Sequence, residues 1–340
     1  MKRVVFLFSM IIGFCFFAEA VEKTAEEETQ SNPRAAYIEK AKATLSEGFA
    51  AWNDSRFADS SRKFGELVTD ESRKDFTEIY FEALLRKEKM DLLGLRSQRN
   101  QKYFDELISS VNQYAWKSSF EREMFFGRVQ RLRGSYLSAV GDYQGSNRSL
   151  DMAIASFKKL GKSGSLGWAL LHRSANFMSM DQIDEAKKDL QAVEAALKQG
   201  LKPEDQSYWS FYHRGKARML AKQGQIAEAE KELQVGVEKI KLSKPSLRFA
   251  RLVLMEDEVI LAVVAGNRAL AETRMKALTA EAKGTGMEAV YREFNAIWSG
   301  YLENQDLKAL EGQLAKFVGR GFEKGKADWI LGLLESKAAM

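Results

Sequence analysis

Arg133-Gly-Ser-Tyr-Leu-Ser-Ala-Val-Gly141-Asp-Tyr-Gln-Gly-Ser146-Asn-Arg-Ser-Leu150-Asp-Met-Ala153 is the stretch on which the fold turns. Apolar and small residues on either side of Gly141 return every three or four places, so it reads as two helices joined by a tight turn. Its central string, Gly141 to Ser146, recurs as Asp181-Gln-Ile-Asp-Glu-Ala186, Gly224-Gln-Ile-Ala-Glu-Ala229 and Gly266-Asn-Arg-Ala-Leu-Ala271, the closing small residues lying 40, 43 and 42 residues apart. A turn-permissive residue with a small residue five places on, repeated at such a period, is the signature of stacked helical hairpins.

Working outward, helix A of one unit runs from about Asp205 through Lys222, and helix B from Ile226 to about Ile240. Ile226, Ala229, Leu233 and Val237 share one helix face. Ala229 is small because helix B crosses helix A most closely there. Ile183, Ala186, Leu190 and Val193 repeat the scheme, as do Tyr143, Ser146, Leu150 and Ala153. Upstream, Phe57, Ser60, Phe64 and Leu67 have the same spacing, with room for one degenerate unit between, near Tyr103 to Ile108. Pro203 and Pro245 fall where one hairpin hands over to the next and mark helix starts. Leu307, Leu310 and Leu314 suggest a hairpin from Met287 to about Phe317, and a last helix follows around Lys326 to Ser336, placed to cap the array. The count is about seven hairpins plus a cap.

The Arg133–Ala153 string, with Gly134, Gly141, Tyr143, Ser146 and Ala153, resembles the tetratricopeptide repeat, as do the strings that begin at Ala221 and Ser179. The resemblance covers most of Ala35 to Phe317, with a longer period than the family's and without its closing proline in most units. It implies an all-α fold, a right-handed superhelical α-solenoid of tetratricopeptide-like hairpins whose concave groove binds peptides or proteins. A fold is not a function, so the bound molecule must be read from side chains.

Residues 1–20 stand apart. Met1-Lys2-Arg3, the uncharged run Val4 to Phe17 and Ala18-Glu19-Ala20 have the order of a secretory signal peptide cut after Ala20, and the run is short of a membrane span. An exported, periplasmic protein is expected, tied to a membrane only if the segment is kept uncleaved. Residues 21–34 read as a disordered acidic tether and 35–340 as one solenoid domain. Cys15 is the one cysteine, so the mature chain has neither a disulfide nor a thiol nucleophile, and packing alone must hold it. Removing the signal changes the formal charge from +5 to +4, too small an excess to point to nucleic acid, and export argues against it further.

Reactive groups are few. His172 and His213 lie near the apolar faces of two helices A, where a packed structural histidine is the ordinary reading. Glu256-Asp257-Glu258 points in three directions from a helix and reads as a solvated face. No phosphate loop, nucleophile elbow or zinc-ligand spacing occurs, so the chain is read as non-catalytic, with no cofactor and no metal. Phe120, Phe125, Phe126, Arg128, Arg131 and Arg133 interleave rings and cations, which reads first as a structural helix. Leu247 to Ala265 is apolar on most sides and should be buried, or else form a groove wall or dimer surface.

Carrying the family's groove onto helices A picks Arg128 and Arg131, then Trp168, Leu171, Ala175 and Met178, then Phe211, Arg214, Arg218 and Lys222. Arginines suit carboxylates and aromatic residues supply contact area, so a protein or peptide segment, acidic in character, is the matching partner. The expected function is a non-catalytic scaffold or adaptor in cell-envelope assembly or maintenance. The alternative is recognition of an envelope polymer such as peptidoglycan.

Overall fold

A computed structural model describes residues 33–93, 101–116, 118–200, 206–241, 248–319 and 324–338. The signal segment, residues 21–32 of the tether, Pro203 and Pro245 lie outside the described residues. Among the described residues there are sixteen α-helices and no strand. They are α1 (Pro33–Asn53), α2 (Phe57–Gly65), α3 (Asp70–Asp75), α4 (Thr77–Leu93), α5 (Gln101–Gln113), α6 (Ser119–Val140), α7 (Tyr143–Lys159) and α8 (Ser163–Ser179). Then follow α9 (Ile183–Gly200), α10 (Gln206–Lys222), α11 (Ile226–Lys241), α12 (Arg248–Val264), α13 (Arg268–Ala282), α14 (Glu288–Asn304), α15 (Leu307–Gly319) and α16 (Lys324–Ala338). The first helix opens at Pro33, two residues before the expected start of the domain, with proline in the first turn where its missing N–H costs nothing.

Each helix packs on its neighbours in sequence. The tightest pairs are α6 with α7, α8 with α9 and α10 with α11, followed by α12 with α13, and the second member of each pair leans on the first member of the next. First members also touch one another, α6 with α8, α8 with α10 and α10 with α12, whereas the second members make no comparable contact. The first members therefore form the inner layer of a curved array, and the second members the outer layer.

Close crossing of each pair rests on the small residues. Ser146, Ala186, Ala229 and Ala271 are completely buried. Ser146 donates its hydroxyl to the Gly134 carbonyl at 2.7 Å, and a Cβ on Gly134 would lie 2.8 Å from Leu150 Cγ. The first hairpin repeats this geometry: Ser60 donates to the Gly48 carbonyl at 2.8 Å, and a Cβ on Gly48 would lie 2.6 Å from the Phe64 ring. Two units far apart in sequence thus share one crossing, sealed by a serine hydroxyl.

The leading residue of each six-residue string turns the chain with a positive φ: Gly141 (+89°), Asp181 (+57°), Gly224 (+76°) and Gly266 (+77°). Such a residue ends a helix without loss of hydrogen bonding, as the Gly141 N–H bonded to Ser138 O illustrates. The described ends of the array also meet. Phe57 sets its ring edge-on to Phe249 at 5.3 Å, and the Gly286 N–H donates to the Ser55 carbonyl at 3.0 Å. One apolar core accordingly runs from Ile38 and Leu45 of α1 to Trp298 of α14 and Ile330 of α16.

A Cβ added at Gly224 meets nothing, so Gly224→Ala probes the backbone alone and should cost about 1–2 kcal/mol. Ala229→Leu forces the crossing apart and should cost about 1–3 kcal/mol. Urea denaturation checks both, and wild-type midpoints for the pair would contradict the assigned crossing.

Candidate functional site on the inner helix face

Seven of the eight expected groove residues fall into three groups, and Met178 lies apart from them. Arg214 and Arg218, both on α10, belong to an internal ion cluster. Arg218 donates from Nε and Nη2 to the two Asp257 carboxylate oxygens, each at 2.7 Å. Arg214 donates from Nη2 to Oδ1 at 3.2 Å and holds its Nε 2.8 Å from Oδ2, off the hydrogen-bond axis. Asp257 is 1 % exposed and Glu256 beside it 1 %, which overturns their reading as a solvated face. Helix α12 is buried on most sides, as its apolar text requires, and its two carboxylates go inward because cations wait for them. Burial would raise the Asp257 pKa, but Arg214 and Arg218 prevail and hold it at about 2. Glu256 pairs with Lys326 of α16 at 2.9 Å.

Helix α16, expected as an end cap, lies along the inner layer and packs on α6, α8, α10 and α12 as well as on α15. Its contacts follow the order of the array. Lys324 lies against Gly141 at the end of α6, and Gly325 against Ser179 at the end of α8. Asp328 accepts from the Tyr143 hydroxyl at 2.6 Å, and Trp329 lies under the Arg218 guanidinium at 4.6 Å. Gly332 meets Lys222 at the end of α10, and Lys337 reaches Gly266 after α12. Lys222, the third cation of this group, also pairs with Asp181 at 2.6 Å and is a strut rather than a free groove cation. Met178 is corrected as well: at 3 % exposure it is part of the core between α8 and α9.

The second group is aromatic. Trp168 on α8 stands 4.8 Å from Phe211 and 5.5 Å from Tyr208, both on α10. Trp168, His172, Ala175 and Ser179 share one stripe of α8, and Ser179 touches α16, so the stripe faces inward. Leu171 is half-buried beside it. His172 tilts against Trp168 at 6.4 Å, and His213 Nδ1 lies 2.6 Å from Glu232 Oε1.

The third group joins Arg128 and Arg131 of α6 to a stripe of α4 that sequence reasoning missed. Glu82, 6 % exposed, accepts from both Arg128 and Arg86, the latter from Nε at 2.8 Å. Burial would raise the Glu82 pKa, but the two guanidiniums lower it to about 2. Arg86 lies over Phe49 at 5.0 Å, Arg128 over Phe125 at 5.2 Å, and the Lys89 ammonium over Trp52 at 4.5 Å. Burial, reinforced by Arg131, Arg86 and Arg128, pushes Lys89 well below the usual lysine range. Burial, with Arg128 and Arg86 beside it, also pushes Arg131 down to about 10. Tyr208 of α10 lies near both Arg86 and Arg131, which brings this group beside the aromatic one. Phe125 itself is stacked on Trp116 at 4.9 Å inside an aromatic core, so the ring-and-cation run of α6 is divided between core and inner face.

Cations and rings of α4, α6, α8 and α10 thus form one strip across the inner layer, while α16 runs along the turn ends of α6, α8, α10 and α12. Separately, a cleft of about 390 Å³ opens between α4 and α5, lined by Tyr80, Phe81, Leu84, Tyr103, Leu107 and Tyr114 among others. None of the eight expected residues lines it. No protein-family model matches the chain, and no curated protein is significantly similar to it.

Asp257 and Glu82 bind protons more weakly folded than unfolded. Their stabilising effect is complete above the ordinary carboxylate range and disappears as pH falls toward about 2. Asp257→Asn strands two buried guanidiniums and should cost about 3 kcal/mol or more at pH 7. It should also remove about 2 kcal/mol of the stability loss between pH 4 and 2. Urea unfolding across that range checks both effects, and an unchanged acid profile would contradict the assignment.

Proposed function

We propose that this chain is an exported, non-catalytic scaffold that holds a protein or peptide segment on the inner face of a tetratricopeptide-like, right-handed solenoid of about seven hairpins. What supports the reading is the strip formed by Arg86, Lys89, Arg128 and Arg131 with Trp168, Tyr208 and Phe211. Its rings are fixed by neighbouring rings, which provides contact area at low entropy cost, and its cations outnumber the one carboxylate among them. A segment lying across the strip would meet side chains from four helices at once, the way extended partners use repeat surfaces.

The helix already held at the turn ends supports the same reading. Helix α16 is bound through an ammonium on Glu256, a tyrosine hydroxyl on Asp328 and a guanidinium over Trp329, a mixture of charge and ring contacts that the strip repeats one or two turns away. Export and a periplasmic location rest on the order of charged, apolar and small residues in the first twenty positions. Among the described residues no helix is long and apolar enough to cross a membrane.

A photo-crosslinking residue in place of His172 should give one dominant protein adduct in the cells that make this protein, and one in place of the exposed outer-layer Met152 should not. Trp168→Ala should weaken the captured complex about tenfold or more. Equal adducts at both positions, or adducts that contain glycan instead of protein, would overturn the proposal.

A further inference from the structure

The cations of α4 and α6 form two rungs. Arg86 and Arg128 are the first, and three residues further along each helix Lys89 and Arg131 are the second. The first rung has its carboxylate built in, because Glu82 stands one turn before Arg86 on the same stripe and reaches both guanidiniums. The corresponding place before Lys89 is Leu85, which is buried in the aromatic core with Phe81 and Phe104. On α6 the residues a turn away from Arg131 are Gly127, Arg128, Gly134 and Ser135, and none is acidic.

Among the described residues, the second rung is therefore two cations with no carboxylate between them. Lys89 rests on the Trp52 ring, which stabilises its charge only in part. The Arg131 Nε is buried without a hydrogen-bond partner. Groups of like charge in a partly desolvated place repel, and an arrangement of this kind costs stability unless an anion joins it. Charged groups facing this space are Glu82, Arg86 and Lys89 of α4 and Arg128 and Arg131 of α6, with the Tyr208 hydroxyl of α10 nearby.

We propose that Lys89 and Arg131 form a receptor for a carboxylate brought by the partner, so that an acidic side chain of the bound segment completes the second rung as Glu82 completes the first. This rests on the reading of the inner face as the binding surface and names the chemistry that surface selects. Carboxylate is chosen over phosphate because the first rung, one turn back on the same two helices, is seated on a carboxylate.

Isothermal titration calorimetry of the full chain at low ionic strength, with tetraglutamate and tetraglutamine, both amidated at the C-terminus, and inorganic phosphate as probes, tests it. Tetraglutamate should bind and tetraglutamine should not. Lys89→Met and Arg131→Gln should each weaken tetraglutamate about tenfold, the loss of one charge-assisted contact, and Lys89→Arg should largely retain it. Lys158→Met on the outer layer should change nothing. Without ligand, Lys89→Met and Arg131→Gln should melt no lower than wild type, because each relieves repulsion. A double variant that binds tetraglutamate as wild type does, a lower Tm in the ligand-free single variants, or a preference for phosphate would each overturn the proposal. If tetraglutamate fails while residue 172 still captures a protein, only the carboxylate receptor falls. If tetraglutamate binds and no protein is captured, only the partner reading falls.

Discussion

Everything in this molecule depends on how closely the two helices of a hairpin can approach. Ser146, Ala186, Ala229 and Ala271 hold the crossing points at zero exposure, and a positive φ at Gly141, Asp181, Gly224 and Gly266 folds each second helix back onto the first. Hairpins closed in this way are thin wedges, and stacking them brings the first helices into mutual contact on the inside of a curve. The inner layer is the consequence. A larger residue at any crossing would widen its wedge and change the curvature of everything stacked on it.

Curvature in turn concentrates side chains. Cations that would be solvated on an isolated helix are brought together on the inner layer, and there the molecule uses them in two ways. Toward the turn ends they are consumed: Arg214 and Arg218 on Asp257 and Lys326 on Glu256 hold α12 and α16 against the array, and Lys222 on Asp181 ties the end of α10 to the turn after α8. Across α4 and α6 one carboxylate serves Arg86 and Arg128, and among the described residues Lys89 and Arg131 have no acid of their own. What separates the struts from Lys89 and Arg131 is whether a carboxylate, from the same helix or another, is brought within reach.

The hairpins were legible in the sequence because turn residues and small residues are local and periodic. Gly224 followed by Ala229 announces both a turn and a crossing, and α10 and α11 begin and end within a residue or so of the expected places. Arg128 and Arg131 were legible as a stripe for the same reason. Their partners on α4 were not, since Glu82 lies far from Arg128 in sequence and its unit lacks a clear small-residue marker. The reading of Glu256 and Asp257 failed because a run of acids says nothing about cations that another helix will bring. For α16 the pattern gave a closing helix, read as an end cap, but not the inner surface it packs on, as four separate helices supply that surface.

The account's central claim is that the working surface is the strip on α4, α6, α8 and α10 that α16 leaves uncovered. A cysteine-accessibility footprint tests this most directly, because Cys15 is the chain's one cysteine and replacing it leaves a silent background. Lys89→Cys and His172→Cys, on the inner strip, and Met152→Cys and Val235→Cys, on the outer helices, would be reacted with a maleimide with and without the partner that crosslinking has identified. The account predicts slower labelling at 89 and 172 in the complex and unchanged labelling at 152 and 235. Protection at 152 or 235 with none at 89 and 172 would contradict it.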